Sequence, residues 1–512
     1  MAARKAPSMA GRALLALLLM IGFYVLAIAI CIALAALVYV DITSPGRKHV
    51  KLYIFAAVTI GVVVWSIVPR KAAFPDPGIR LTKQRQPRLF SMIEDVAKAA
   101  GQPVPKSVFL VNEINAFVAE RNARLGFGGE RVLGLGLPLM RVLTVPQIKS
   151  VIAHEFGHFH GGDTKLGPFL YRTRASIGRT ITNLQNADSF LHKPFEWYGK
   201  LFLKTTFGIS RAQEYAADAL SVRIVGVEPV QTSLRRIGEI GPLFDSYLDH
   251  EYVPMLRRGV RPPLADGFAS YLESADVREM QVSFGESAMQ AKGDPYDSHP
   301  PISQRIRAAG DVEGAGSESA DGPHGVTLLD DVDTLERDLM VFVTQNRSVA
   351  EIPADSWARC AGVLQDGWRE VAAEHAGRLP AFTCEDIASI ARGEREADGD
   401  AAGIRDLETF AATISAQIPR EERVGAGAYY LGAFLAHAMA SHGFEVRTAP
   451  GDPIVLHRGE SSLQPFDAVG RLARNETDVE SWCRDCEQLG ISKVLISGTQ
   501  VAEAAGAKPN SD

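Results

Sequence analysis

Between Ala13 and Val40 the chain runs for twenty-eight residues without a charge, ALLALLLMIGFYVLAIAICIALAALVYV. As a helix rising about 1.5 Å per residue, such a run crosses a hydrocarbon core of about 30 Å with some tilt. Arg4, Lys5 and Arg12 precede it, as they would precede a cleavable signal sequence. A signal core, however, is about 7–15 residues long and ends in a small-residue cleavage site, and no such site occurs before Asp41. A second apolar run, LYIFAAVTIGVVVWSIV from Leu52 to Val68, is at the short end for a span, with a buried core helix as its alternative. The short loop Asp41–Lys51 between them makes the pair a membrane hairpin.

Lysine and arginine near the span ends set the orientation. Arg4, Lys5 and Arg12 lie before the first run, and Arg70, Lys71, Arg80, Lys83, Arg85 and Arg88 lie after the second; the loop holds Arg47, Lys48 and Lys51. The flanks outweigh the loop. The expectation is an integral membrane protein of a bacterial inner membrane, with the amino terminus and the large remainder cytoplasmic. Five cysteines in 512 residues agree with a reducing compartment and exclude a disulfide-stapled scaffold. A net charge of −6 leaves no global basic field for nucleic acid, and no G-x-x-x-x-G-K-[S/T] loop offers an ATP phosphate cradle.

The length divides into about three folding units at roughly 150 residues each. The expected fold is α+β and mostly helical. Residues 1–71 form the hairpin, with spans near 13–40 and 52–68. Residues 72–310 form a domain with a small sheet from Lys106–Val111, Asn115–Glu120 and Arg131–Leu137, turning at Gly126, Gly128 and Gly129. The Gly/Ala/Ser/Asp-rich stretch 311–325 reads as a linker, 326–506 as a helical or α+β accessory domain, and 507–512 as a frayed tail. Gly427–Met439 is too short to span and reads as a core helix.

The strongest chemical signal is His154-Glu155-Phe156-Gly157-His158. Thr144 with Gln147 makes a capping box, Ile148, Val151 and Ile152 give an apolar face, and Gly161-Gly162 ends the helix. Histidines four apart share one face, about 5–6 Å apart at Cβ, so both imidazoles can meet one Zn²⁺. Glu155 projects beside that ion, where it can take a proton from water. A chance H-E-x-x-H in such a composition is roughly a one-in-fifty event. A catalytic zinc needs a third protein ligand. Glu214, within SRAQEYAAD, is the candidate, with Ser210 and Gln213 as a further capping box placing it in the first turns of a helix. Asp218, one turn on, would fix a histidine by accepting its other ring N–H. Two solvated carboxylates are the bland alternative. His160 falls off the shared face, and the lone Cys483-Arg484-Asp485-Cys486 pair has no partner pair.

HEFGH followed by the E-x-x-x-D of Glu214 and Asp218 resembles the membrane gluzincins that comprise the HtpX-like and CAAX prenyl proteases, and lies nearer the HtpX-like side. Asn115-Ala116-Phe117 is similar to the family's N-A-F strand, Asp163 to an aspartate past its zinc helix, and Ser298–Ile306 to its late His-Pro…Arg-Ile segment. The resemblance covers about 85–310 and implies a substrate-binding role for Asn115, Ala116 and Phe117. It also implies a contribution to catalysis, as oxyanion donors, from His299 or Arg305. Many HtpX-like members carry extra spans between the zinc helix and the third ligand; here Asp163–Ser210 is broken by Arg172, Arg174, Arg179, Lys193, Lys200 and Lys204. Its mixture of aromatic and basic residues fits either a bilayer surface or a packed helical pair.

These readings converge on a membrane-anchored zinc endopeptidase with one zinc per chain, acting on proteins or peptides, with neither nucleic acid nor ATP as partner. The resemblance implies quality control of misfolded or membrane proteins. The alternatives are a processing protease for one partner, and a membrane scaffold with a structural metal whose function resides in the C-terminal region.

Overall fold

Leucine, alanine, isoleucine and valine without an interior proline propagate one helix, α1 (Met9–Thr43), and a second, α2 (Val50–Ile67). These belong to a computed structural model that describes residues 9–68, 75–121, 129–159, 167–294, 297, 299–394 and 404–506, with side chains from residue 14 and, in the helix beginning at Gly167, from residue 173. The flanking cations Arg4, Lys5, Arg12, Arg70 and Lys71, the Gly126 and Gly128 turn, His160, Gly161-Gly162, Asp163, Ser298 and the tail 507–512 lie outside the described residues. In the loop between the apolar helices, the Lys48 ammonium donates to the carbonyls of Asp41, Ile42 and Ser44 at 2.9, 2.8 and 2.6 Å. Those are carbonyls that the end of α1 leaves unpaired, at the negative pole of its dipole.

A four-stranded sheet follows, β1 (Ile79–Leu81), β2 (Ser107–Val111), β3 (Ala116–Arg121) and β4 (Glu130–Gly136), in the order β1-β2-β4-β3. β2 and β4 are parallel, and the two outer pairings are antiparallel. β3 is therefore an open edge. Sequence reading finds three of these strands; β1, three residues long, is too short to show an alternating pattern. Between β1 and β2 runs α3 (Pro87–Ala99), whose Leu89, Met92, Ile93 and Val96 are buried at helical spacing.

After α4 (Leu137–Val142), α5 (Val145–Gly157) starts at the expected cap: the Gln147 amide donates to Thr144 Oγ1, and the Gln147 side chain accepts from the Thr144 amide. α6 (Gly167–Asn186) and α7 (His192–Val225) form a long hairpin. Phe195, Phe202, Ile177 and Leu184 of that hairpin bury themselves against Met20, Phe23 and Ala27 of α1 and Val63 of α2. The aromatic and basic stretch is thus a packed helical pair. α7 also corrects one expectation. Ser210 caps nothing, because the helix runs through it and its hydroxyl donates back to the Thr206 carbonyl at 3.4 Å. Pro194 sits in the first turn, where a helix tolerates it, and neither a proline nor a turn follows before Ser210, so Glu214 sits deep in α7.

α5 and α7 touch at one point of unusual closeness. A Cβ on Gly157 would stand 2.6 Å from the Ala217 Cα, so only glycine lets the axes approach this far. Buried hydroxyls tie the crossing: Ser221 donates to the Ser150 carbonyl at 2.7 Å, and Ser150 and Ser233 of α8 (Val227–Tyr247) are 3.0 Å apart.

Residues 311–325 do not behave as a linker. The Gly316 and Glu318 amides donate to the Val222 and Val225 carbonyls at 2.9 Å, the Val145 amide donates to the Pro323 carbonyl at 2.8 Å, and the Thr144 hydroxyl donates to the Ala320 carbonyl at 2.6 Å. Small residues suit a strap that lies directly on backbone. Beyond it the Gln86 carboxamide pairs with both backbone groups of Asp330.

Met1–Phe244 and Met280–Arg347 form one compact unit; Asp245–Glu279 and Ser348–Asp512 form a second. This division departs from the expected 310/326 boundary, because the strap stays with the first unit while Ser274 and Glu251 bind Gly451 within the second. The second unit packs Phe382, Phe410, Leu431, Phe434 and Trp482 into a helical core. Its small antiparallel sheet comprises Glu445–Arg447, Val455–Arg458 and Ser461–Leu463. The helix Arg423–Ser441, buried along Leu431–Ala436, contains the expected core segment.

Gly157→Ala should lower stability by about 1–3 kcal/mol through overpacking, read as a lower urea midpoint. Gly241→Ala, with open space around its Cβ, should raise it slightly through helix propensity; equal effects would show that the α5–α7 crossing is not tight.

Candidate metal centre

His154 and Glu155 of α5, His158 at its C-cap, and Glu214 and Asp218 of α7 meet across this crossing. His154 and His158 present their rings edge to face, with centroids 4.8 Å apart. The Glu214 carboxylate reaches both: Oε2 is 3.6 Å from His154 Nε2, and Oε1 is 3.5 Å from His158 Nε2. Tetrahedral ligands at about 2.0–2.1 Å from zinc lie about 3.3–3.4 Å apart, so these separations suit one ion. Glu214 is only 4% exposed, and its Oε2 accepts no hydrogen bond. A buried carboxylate with one oxygen that accepts no hydrogen bond, beside two imidazole nitrogens, is a donor set that suits a zinc ion.

A second carboxylate is close enough to compete, since ligating atoms of His154, Glu155 and His158 lie within 4.8 Å of one another. Glu155 is already engaged, however: its Oε2 accepts the Val118 backbone N–H of β3 at 3.2 Å. That amide points off the open edge of the sheet. The two carboxylates are therefore distinguished by their partners, one bridging the imidazoles and the other turned toward the edge strand.

Behind the histidines stands an ionic clamp. Asp218 Oδ1 lies 2.8 Å from His154 Nδ1, which places the proton on Nδ1 and leaves Nε2 with its lone pair. Arg305 grips Asp218 with Nε and Nη2 at 2.8 and 2.7 Å, and its Nη1 lies 3.2 Å from Glu214 Oε2. His299, 61% exposed, sets Nδ1 3.2 Å from Glu214 Oε1. The structure thus brings His299 and Arg305 to the carboxylates. Arg305 in particular faces Asp218 and Glu214 together, at the position where the resemblance implies an oxyanion donor.

Electrostatics follow from this burial. Desolvation raises the Glu155 carboxyl above the ordinary glutamate range. Desolvation, with the neighbouring His154 charge, pushes His158 down to about 4, so its ring is neutral and available near pH 7. Burial alone would raise Asp218, but hydrogen bonds from Arg305 and His154 outweigh it and hold the carboxyl well below its usual value. For Glu214, likewise, the opposing pull of His299 and Arg305 exceeds desolvation and lowers it.

Of the segment Asn115-Ala116-Phe117, Asn115 is exposed just before β3 and Ala116 is buried. The Phe117 ring covers Gly134, where a Cβ would be 2.5 Å from it. What sequence reasoning missed is the Val118 amide, a backbone group with no residue signature.

Residues 83–313 match the family model for Peptidase family M48. Over 231 residues the chain is 25% identical to Protease HtpX of Idiomarina loihiensis, an alignment covering 41% of this chain and 77% of that protein. This region is similar to peptidase family M48 and to HtpX proteases. Protease HtpX of Cellvibrio japonicus is 24% identical over 297 residues, covering 52% of this chain and 88% of that protein. An 81-residue stretch is 37% identical to Protease HtpX homolog 1 of Sulfurisphaera tokodaii, covering 15% and 24% of the two chains. No solved structure matches. The M48 match ends at 313, so most of the second unit lies outside what this family explains.

Asp218→Asn should weaken zinc affinity about 10–100-fold by releasing the His154 ring, measured by competition with a chromogenic chelator. Unchanged affinity would show that the clamp does not orient the histidine.

Proposed function

We propose that this chain is a membrane-anchored zinc endopeptidase in which His154, His158 and Glu214 hold the metal and Glu155 is the general base. The observation that carries this reading is the division of labour between the two carboxylates, Glu214 on the imidazoles and Glu155 on the β3 edge. Zinc held there would supply a Lewis acid and lower the pKa of water toward about 7. Glu155, buried and raised in pKa, is suited to take a proton from the attacking water and return it to the leaving amine. Asp218 and Arg305 keep His154 oriented, and Asn115–Phe117 lead the chain into the edge strand. Alternate residues of a strand face the same way, so Ala116 and Glu120 present backbone groups beside the Val118 amide. An extended substrate can add to that edge, which reads backbone more than side chains.

Anchoring is supported by the surfaces of α1 and α2. The most apolar 18 residues of Leu14–Thr43, and the 18 of Val50–Ile67, are only 22% buried, whereas a core helix would be mostly covered. Leu14, Leu18, Ile21, Val25, Ile28 and Ile32 project outward in helical register, and lipid tails are the solvent such a face fits. The cation distribution favours a cytoplasmic catalytic domain in a bacterial inner membrane. Within this reading, domain limits follow the two compact units, and quality control of misfolded or membrane proteins is the proposed role.

Glu155→Gln should retain about one zinc per chain yet lose roughly 10²–10⁴-fold in cleavage of an unfolded protein; full activity would reject the base. Glu214→Gln should instead lower the zinc content, measured by atomic emission. Because burial raises the Glu155 carboxyl, the acid limb of kcat/KM should fall above the ordinary glutamate value of about 4.3; a limb at or below it would assign the base elsewhere.

A further inference from the structure

α7 is one helix of 34 residues, about 50 Å long, and its two ends belong to different environments. In its first half Phe195 meets Phe23 of α1, with ring centroids 6.1 Å apart, and the Tyr198 hydroxyl donates to the Leu19 carbonyl at 2.6 Å. Position 195 pairs with 23 and 198 with 19, so α7 runs antiparallel to α1 and climbs toward its amino end. The turn leading into α7 reaches further down: Phe190 stacks on Phe55 of α2 at 5.8 Å, while Arg179 and Asn183 bind Ser66 at the other end of α2. In its second half the same helix carries Glu214 and Asp218, fixed to α5 by the Gly157–Ala217 contact and the Ser221–Ser150 bond.

These contacts give the metal centre a height. Leu19 lies six residues inside the charge-free run that begins at Ala13, about 9 Å along the helix. Glu214 lies sixteen residues beyond Tyr198, about 24 Å up the rod. The difference is about 15 Å. On the same rod Lys204, exposed and ten residues before Glu214, lies about 15 Å below it, with exposed Lys200, Trp197 and Lys193 one, two and three turns deeper. Lysines that can snorkel and an interfacial tryptophan are what a membrane boundary selects.

Resting on the anchored-peptidase reading, we infer that α7 is a ruler that fixes the catalytic centre about 15 Å from the bilayer surface. It thereby restricts cleavage of membrane-anchored chains to bonds set back from their span. An extended chain covers about 3.3–3.6 Å per residue, so a scissile bond needs at least about five residues of tether to reach the β3 edge. Bonds nearer the membrane are spared whatever their sequence, and longer tethers are cut freely.

The test uses the full zinc-loaded chain in lipid nanodiscs with single-span substrates carrying one cleavable sequence on the enzyme's side. Its scissile bond is placed about 0, 3, 6, 9 or 15 residues from the span, and an unanchored peptide of the same sequence is the control. The expected result is at least about tenfold slower cleavage at the two shortest tethers than at the longest, with the rise near five residues. Equal rates at all tethers would overturn the ruler, and so would cleavage of the unanchored peptide with every anchored substrate spared. Failure to cut even the unanchored peptide would instead sink the peptidase reading on which the ruler rests.

Discussion

The centre depends on how closely two helices can approach. α5 brings two imidazoles and α7 brings two carboxylates, and neither helix alone can close a ligand set. Gly157 against the Ala217 backbone removes the side-chain layer that normally separates packed helices by 8–10 Å. The approach of His154 and His158 to Glu214, and of His154 to Asp218, follows from that closeness. The buried serines at Ser150, Ser221 and Ser233 hold the crossing with hydrogen bonds that would be costly to break out of water's reach.

Around this crossing the buried charges are arranged so that none is left alone. Arg305 faces Asp218 and Glu214 together, and burial of a charge is tolerable only when it is paired. Glu155 is the exception in kind, because its partner is an uncharged amide on an open strand edge. A carboxylate satisfied by one backbone N–H, its pKa raised by desolvation, has the freedom to exchange a proton that Asp218, clamped by a guanidinium, does not have.

What the sequence made legible was local. The Thr144–Gln147 cap, the i,i+4 histidines and the two long apolar runs all depend on neighbours within a turn or on composition. They were readable because helix periodicity and capping act at short range. The same local logic misplaced Ser210, whose S-x-x-Q pattern looks like a helix start only if the preceding residues are not already helical. Arg305 reaches Asp218 across 87 positions, and no spacing rule announces such a pairing; only the family resemblance points to it. The strap 311–325 looks like a linker in sequence because its small residues give no periodic signal, although small residues are what backbone-to-backbone docking requires.

That strap has a temporal side. The first turn of α5 is completed by the Ala320 carbonyl, 176 positions later in the chain than Thr144, and by Pro323 against the Val145 amide. During synthesis the histidine-bearing helix therefore lacks part of its amino-terminal frame until well after the apolar hairpin has left the ribosome. Closing a loop of that size is an entropic cost met only late. The amino-terminal frame of α5 is therefore completed late in synthesis, once residues 320–323 have been made.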